Sequence, residues 1–375
     1  MTCTLTAAGH LGIGARGESW NVEQPGSSSS RGAAARGPWS SDPVTLIVVN
    51  YHYVRPGFEH RFPGIHGVTT SALRAQLQLL GTAGEFVSLN QVRDAAGGAT
   101  SLPRRAFLVT FDDGLREQLD HALPVLDELG VPGVFFVNTW PIANRAVSSV
   151  HKIHLLRAHT PPAVLCGMLH AEARRQGLES LWDVESGEAQ VGEAQVKYPW
   201  DPPESAQLKY FLNHQLTHEV KDALIAPCFR EVFGDDESVI SDLLYMDVQQ
   251  LRMLGARGYL GTHGDQHLPL GRLPRAAVHD NVRLSLDRLL GWTDVRPFAL
   301  SYPFGSLETS TLEAGAIAAE LGVELGFTTE RAVNVDLTSP LHLARFDCND
   351  LPGGRQPYFQ SSSLFENAPA ARWYR

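Results

Sequence analysis

RAFLVTFDDGLREQLDHALPVLDELGVPGVFFVNTW, residues 105–140, carries a strand, a turn, a helix and a second strand without interruption. RAFLVTF is an apolar, aromatic and β-branched run, the pattern of a strand buried on both faces. LREQLDHALPVLDELG (115–130) reads as a helix that stops at Gly130. VPGVFFVNTW (131–140) returns to strand character. Upstream, VTLIVVNYHYV (44–54) is another buried strand. TTSALRAQLQLLGTA (69–83) follows, with Leu73, Leu77, Leu79 and Leu80 near helical spacing, and FVSL (86–89) reads as a short strand. Strands alternating with helices predict a parallel α/β architecture.

Downstream, the alternation breaks over 141–246, which is mostly helical. It resumes with a helix at 246–258, the strand and loop YLGTHGDQH (259–267) and a helix at 273–291. PFALSYPFG (297–305) is a strand, a helix lies at 308–322, and LGFTT (325–329) and LHLARFD (341–347) are the last strands. The expected fold is an irregular (β/α)7-type barrel with 141–246 as a helical insertion over one end. Without the insertion about 200 residues remain, the low end for such barrels. Within the insertion, ESGEAQVGEAQV (185–196) holds a tandem five-residue duplication too short for a solenoid, so an expanded surface loop is expected. Residues 1–42, rich in Gly, Ser, Ala and Pro, are expected to be a disordered tail, 43–350 the ordered domain, and 351–375 a C-terminal tail.

The chain has 375 residues, 43% hydrophobic and 19% charged, which is ample for a large core. Its net charge of −10 argues against a general nucleic-acid binder and against docking on an anionic membrane, although a local basic pocket remains open. Cys3, Cys166, Cys228 and Cys348 share no metal-type spacing, and a chain of this size needs no disulfides. No apolar run reaches membrane-span length, and the N-terminus lacks a secretory pattern. The expectation is a cytoplasmic protein without nucleic-acid or membrane partners. Nothing in the sequence sets its oligomeric state.

Three short motifs stand where strands end, the place where sites assemble in parallel α/β folds. Asp112 and Asp113 close the strand at 105–111, with Gly114 permitting the turn. Successive side chains there point in different directions, so one carboxylate can serve a metal and the other a substrate. His263 and His267 lie four apart in one loop and, with one carboxylate, form a His2Asp set suited to a catalytic metal. Ser301-Tyr302-Pro303-Phe304-Gly305 is a turn whose backbone N–H groups can form an oxyanion hole. His214/His218 and His151/His154 are also close pairs, but they lack a partner carboxylate at a strand end and read as ordinary helix positions.

TFDDG, HGDQH and SYPFG, in that order, resemble the polysaccharide deacetylase family, the NodB-homology or carbohydrate esterase family 4 group. HGDQH has Gly264 where the family has Ser or Thr. SYPFG has Ser301 where the family has Arg, and Phe304 where it has Tyr. YHYV (51–54) and RFDCND (345–350) look like a branch found with surface-polysaccharide and amino-sugar genes. The resemblance spans roughly 43–350 and is weakest in the insertion.

The resemblance implies that Asp113, His263 and His267 hold one divalent metal ion, most often Zn2+, while Asp112 acts as the base. It also implies that the oxyanion rests on the metal and on a backbone N–H near Phe304, in the turn formed with Tyr302 and Gly305. With Ser301 in the Arg position, Arg345 paired with Asp347 is the expected substitute for holding the base. The acid that protonates the leaving amine is His342 in PLHLAR or His52 at the end of the first strand.

The implied reaction is metal-dependent removal of an N-acyl group, with acetyl as the family default, from an amino sugar or a sugar-containing biosynthetic intermediate. The lack of an export pattern favours a soluble small-molecule or saccharide substrate. Trp140, Trp182 and Trp200 are candidates for stacking on a sugar ring. Two alternatives stay open: the same site cutting a non-sugar linear or cyclic amide, and a glycan-binding relative without catalysis.

Overall fold

The computed structural model describes residues 45–57, 65, 67–182, 188–198, 201–355, 357–358 and 364–374, so the expected tail at 1–42 lies outside the described residues. Eight strands form one parallel sheet: β1 (Thr45–Tyr51), β2 (Glu85–Phe86), β3 (Arg105–Phe111), β4 (Gly133–Val137), β5 (Leu260–Thr262), β6 (Ala299–Ser301), β7 (Leu325–Phe327) and β8 (Arg345–Asp347). Their order is β8-β1-β3-β4-β5-β6-β7, with β2 beside the start of β3. The sheet nearly closes on itself. Leu343, just before β8, donates its N–H to Gly326 O at 2.7 Å and accepts from Thr328 N–H at 2.9 Å. The chain thus forms the expected irregular (β/α) barrel.

Strand alternation divides the side chains. Ile47, Val49 and Tyr51 of β1 and Phe107, Val109 and Phe111 of β3 pack in the outer layer with helix residues such as Leu73, Leu77 and Leu126. Leu46, Val48, Ala106, Leu108, Val134, Phe136 and Phe327 fill the barrel interior. The parity that points Leu108 inward also points Thr110 and then Asp112 inward, at the C-terminal mouth.

Residues 139–244 are almost wholly helical where described. The main insertion helices are α1 (Ser149–His159), α2 (Pro162–Arg175), α3 (Glu188–Lys197) and α4 (His218–Phe233). Of these, α1, α2 and α4 share an apolar core of Leu155, Leu156, Leu169, Leu224 and Phe229, joined from the barrel by Tyr53 and Leu115.

Three local expectations need correction. The duplication lies in helix α3 rather than a loop, because Glu, Ala and Gln are strong helix formers. FVSL is a strand only to Phe86, because Ser88 and Gln91 form a capping box that starts a helix at Leu89. The stretch after 350 is no free tail where described. Ala371 N–H reaches Val333 O at 3.0 Å, Arg372 N–H reaches Glu330 Oε1 at 2.6 Å, and Leu364 is buried. No helix among the described residues is long and apolar enough to cross a membrane.

Candidate active site

Asp112 and Asp113 emerge side by side at the end of β3, both 2% exposed. Asp112 continues the ladder, its N–H donating to Tyr51 O at 3.0 Å. Asp113 then adopts φ 78°, which turns its side chain away from the strand. His267 (φ 56°) and Phe304 (φ 63°) are also left-handed. Three non-glycine residues held in this sparsely populated region lie around one point, where the surrounding packing must over-determine them.

Around Asp113 stand the two imidazoles expected there. His263 Nε2 and His267 Nε2 each lie 3.5 Å from Asp113 Oδ1. That oxygen is buried without a hydrogen-bond partner among the described residues. One ligand atom from each of the three residues falls within 4.8 Å of the others. His263 Nδ1 is 2.7 Å from Ser301 O, an acceptor only, so Nδ1 carries the proton and the Nε2 lone pair faces Asp113. Burial pushes His263 down and His267 down to about 3, the latter helped by the charge of His263, so both imidazoles are neutral. Neutral imidazoles around an unpartnered buried carboxylate oxygen are what a divalent cation requires, and the donor set fits one.

The loop bearing both histidines is anchored from behind. Asp265 accepts from Thr139 Oγ1 and Arg288 Nη1, each at 2.5 Å, and its N–H donates to Asn281 Oδ1 at 3.0 Å. Gly264 has φ 71°, and a Cβ there would lie 2.6 Å from Asn281 Oδ1. That crowding accounts for glycine at this position. A hydroxyl is supplied instead by Thr262, whose Oγ1 accepts the Gly264 N–H at 3.1 Å.

Asp112 is gripped by Arg345. Arg345 Nη1 donates to Asp112 Oδ1 at 2.9 Å and Nη2 to Oδ2 at 2.8 Å, and Asn50 Nδ2 donates to Oδ2 at 3.0 Å. The guanidinium also donates to Thr328 O, Thr110 Oγ1 and Ser301 Oγ. Ser301 therefore touches the arginine that its position lacks. Burial alone would raise Asp112, but Arg345 foremost, then His263, hold it down at about 2.

Several expected site residues stand elsewhere or act otherwise. Asp347 does not pair with Arg345. Its carboxylate accepts from Asn349 N–H at 2.9 Å and caps the turn Cys348–Asp350. Tyr302 turns outward into the layer under the helices, and its OH donates to Leu341 O at 3.0 Å. His342 stacks on Tyr302, lies against Tyr374 and has Nε2 3.3 Å from Thr311 O, so it does not reach the carboxylates. Phe304 does face the site, its ring edge-on to His267 at 4.9 Å. Gly305 makes the tight turn beyond it, where a Cβ would meet Thr329 at 2.7 Å. His52 is half-buried at the mouth, and its charge acts on both Asp112 and Asp113.

One residue was missed. His151, on α1, is 1% exposed, with Nε2 3.3 Å from Asp113 Oδ2 and Nδ1 2.6 Å from Tyr245 OH. Although burial opposes it, His151 leads the groups that hold Asp113 well below the usual carboxylate range. Its spacing to His154 carries no signal of this, because only the packing of the insertion brings it to β3. His154 instead pairs with Tyr53 OH at 3.0 Å. His214 lies 3.2 Å from Tyr198 OH and His218 3.2 Å from Asp222, and neither joins the donor set. Trp140 is half-buried with its N–H on Asp265 O, while Trp200 and the Trp182 side chain lie outside the described residues.

A family model described as polysaccharide deacetylase matches residues 99–180, which include Asp112, Asp113 and His151. Over that stretch the chain is similar to polysaccharide deacetylases. Over 109 residues it is 32% identical to the poly-beta-1,6-N-acetyl-D-glucosamine N-deacetylase of Escherichia coli strain K12. That match covers 28% of this chain and 16% of the relative, so the chain spans well under a quarter of the curated relative's length. The same figures hold for the O157:H7 protein of that name. Among solved structures, IcaB from Ammonifex degensii shares the fold with a TM-score of 0.50 and 18% identity, over 83% of this chain and 95% of that one.

Proposed function

We propose that this chain is a metal-dependent amide hydrolase that removes an N-acetyl group from an amino sugar. The observation that carries the reading is the juxtaposition of two differently equipped carboxylates: Asp113 among neutral imidazoles with a free oxygen, and Asp112 locked to Arg345. Asp113, His263 and His267 would hold the cation, and their two-imidazole, one-carboxylate chemistry suits zinc. A divalent cation there supplies Lewis-acid polarisation of the amide carbonyl and of the attacking water.

Asp112 stays ionised, oriented by Arg345 and Asn50, and takes the proton as the water oxygen bonds to the carbonyl carbon. The C–N bond then breaks, the nitrogen gains a proton, and the products are a free amine and acetate. We assign that protonation to His52, half-buried just after β1, rather than to His342, which is occupied elsewhere. The Phe304–Gly305 turn walls the site beside His267. The poly-N-acetylglucosamine deacetylases to which the chain is similar support a saccharide substrate.

The test combines metal analysis with acetate release from N-acetylglucosamine oligomers. About one divalent ion per chain is expected in the wild type and in His214→Ala, and none in Asp113→Ala. Asp112→Asn should retain the metal and lose about 10²–10⁴-fold in kcat. Metal that persists in Asp113→Ala, or full turnover in Asp112→Asn, overturns the reading.

A further inference from the structure

α4 carries a lysine in an unusual setting. Lys221 is 6% exposed. Its ammonium lies 5.8 Å from the centre of the Phe304 ring, the same ring that meets His267 edge-on at 4.9 Å. Among the described residues Lys221 makes no ion pair and no hydrogen bond. Asp222, the carboxylate whose charge it feels, is already engaged by His218 at 3.2 Å and by Ser149. An aromatic face is weak compensation for a desolvated ammonium. Burial pulls the Lys221 ammonium below its usual range, and an anion placed beside it would offset that cost.

The surroundings add positive charge. His214 is pushed down to about 4, first by burial and then by the charges of Lys197, Arg272 and Lys221. Opposing them is Glu308, which Arg272 holds at 2.5 Å and Lys197 approaches at 3.9 Å. On the flank next to His267, Lys197 and Arg272 share Glu308, whereas Lys221, whose charge reaches His267, has no ion-pair partner among the described residues. Phe304 and His267 place that flank against the cluster where the acyl group would be cut.

We propose that Lys221 is the centre of an anion subsite, so that the substrate is an acylated amino sugar bearing a phosphate or carboxylate, which pairs with the Lys221 ammonium while the acetamide faces Asp113. This rests on the hydrolase reading above and narrows its substrate class. Neutral acetamido sugars would leave the ammonium unpaired and bind less well.

The test compares three sugars that differ at one position: N-acetylglucosamine, its 6-phosphate and its 6-carboxylate. Each is assayed with the metal-loaded wild type, Lys221→Met and Lys221→Arg. Calorimetry with the amine products glucosamine and glucosamine 6-phosphate measures binding without turnover. The wild type should favour at least one charged sugar through KM. Lys221→Met should lower kcat/KM for that sugar about ten- to hundredfold and leave the neutral sugar within about twofold. Lys221→Arg should keep most of the preference, because the charge remains.

Equal losses on all three sugars in Lys221→Met, or no charge preference in the wild type, would overturn the subsite while leaving the hydrolase reading intact. Suppose instead that no sugar is turned over, yet glucosamine 6-phosphate binds more tightly than glucosamine and loses that advantage in Lys221→Met. The hydrolase reading then fails and the subsite stands. If neither turnover nor binding responds to charge, the subsite is overturned.

Discussion

Arg345 directs its guanidinium at Asp112, Ser301, Thr110 and the Thr328 carbonyl, and is itself 1% exposed. Bidentate pairing of this kind fixes orientation as well as charge. Removing one member of a buried pair strands the other, at a cost of about 3–5 kcal/mol. Arg345→Met is therefore expected to lower unfolding stability by that order at neutral pH and to abolish turnover. Asp347→Ala, which loses a cap on a short turn, should cost only about 0.5–2 kcal/mol. Urea unfolding of both variants checks this, and equal losses would contradict the division of roles. At this scale much of the site was legible. Spacing at strand ends singles out the pair Asp112 and Asp113 and the pair His263 and His267, the resemblance chose Asp113 as the ligand, and Arg345 was found because Ser301 left the base without its usual partner. Asp347 was misread because strand parity was extended through its last residue, where a competing turn takes the carboxylate. Tyr302 was misread for a related reason: one residue past a strand end, a side chain can point to either side of the wall, and only packing chooses. His342 sits in the short turn Pro340–His342 ahead of β8 rather than in the strand, so strand alternation does not aim it.

The insertion is the element that sequence reading located without resolving. Its boundaries follow from the break in strand–helix alternation, but which helix faces the barrel mouth depends on how α1, α2 and α4 share their apolar core with Tyr53 and Leu115. His151 reaches Asp113 through that packing, and His154, one turn on, is half-buried against Tyr53. Burial drives the His154 imidazole well below its usual range, so it stays neutral in the folded chain. In the unfolded chain it takes a proton below about pH 6.5. The unfolded state then binds more protons than the folded one, so stability falls as pH drops below about 6.5, by up to about 1.4 kcal/mol per unit for this group. Above that pH both states are neutral and the group contributes no slope. Replacing it by His154→Gln should flatten the decline between pH 7 and pH 5 in denaturant titrations. An unchanged slope would show that His154 is protonated or exposed in the folded chain.

At the scale of the whole chain, the proposed metal centre joins parts far apart in sequence. Asp113 ends β3, and His263 and His267 follow β5 after the entire insertion. The unfolded chain cannot hold these three groups together, so a cation bound by them adds to folding stability by mass action, about 2.7 kcal/mol at a free concentration one hundred times its dissociation constant. The donor atoms meet only when β3, β4 and β5 are paired, and His151 braces Asp113 only when the insertion is docked. Occupancy should therefore report on barrel and insertion together. Chelation is expected to lower the wild-type melting temperature by several degrees, and added zinc should restore it with a shift that grows with the logarithm of free zinc. The same additions should leave Asp113→Ala unmoved, because its buried oxygen is gone. Differential scanning calorimetry reads both. A wild type whose melting ignores chelator and zinc alike would remove the metal centre, and with it the reason for two neutral imidazoles to surround an unpartnered carboxylate oxygen at the mouth of this barrel.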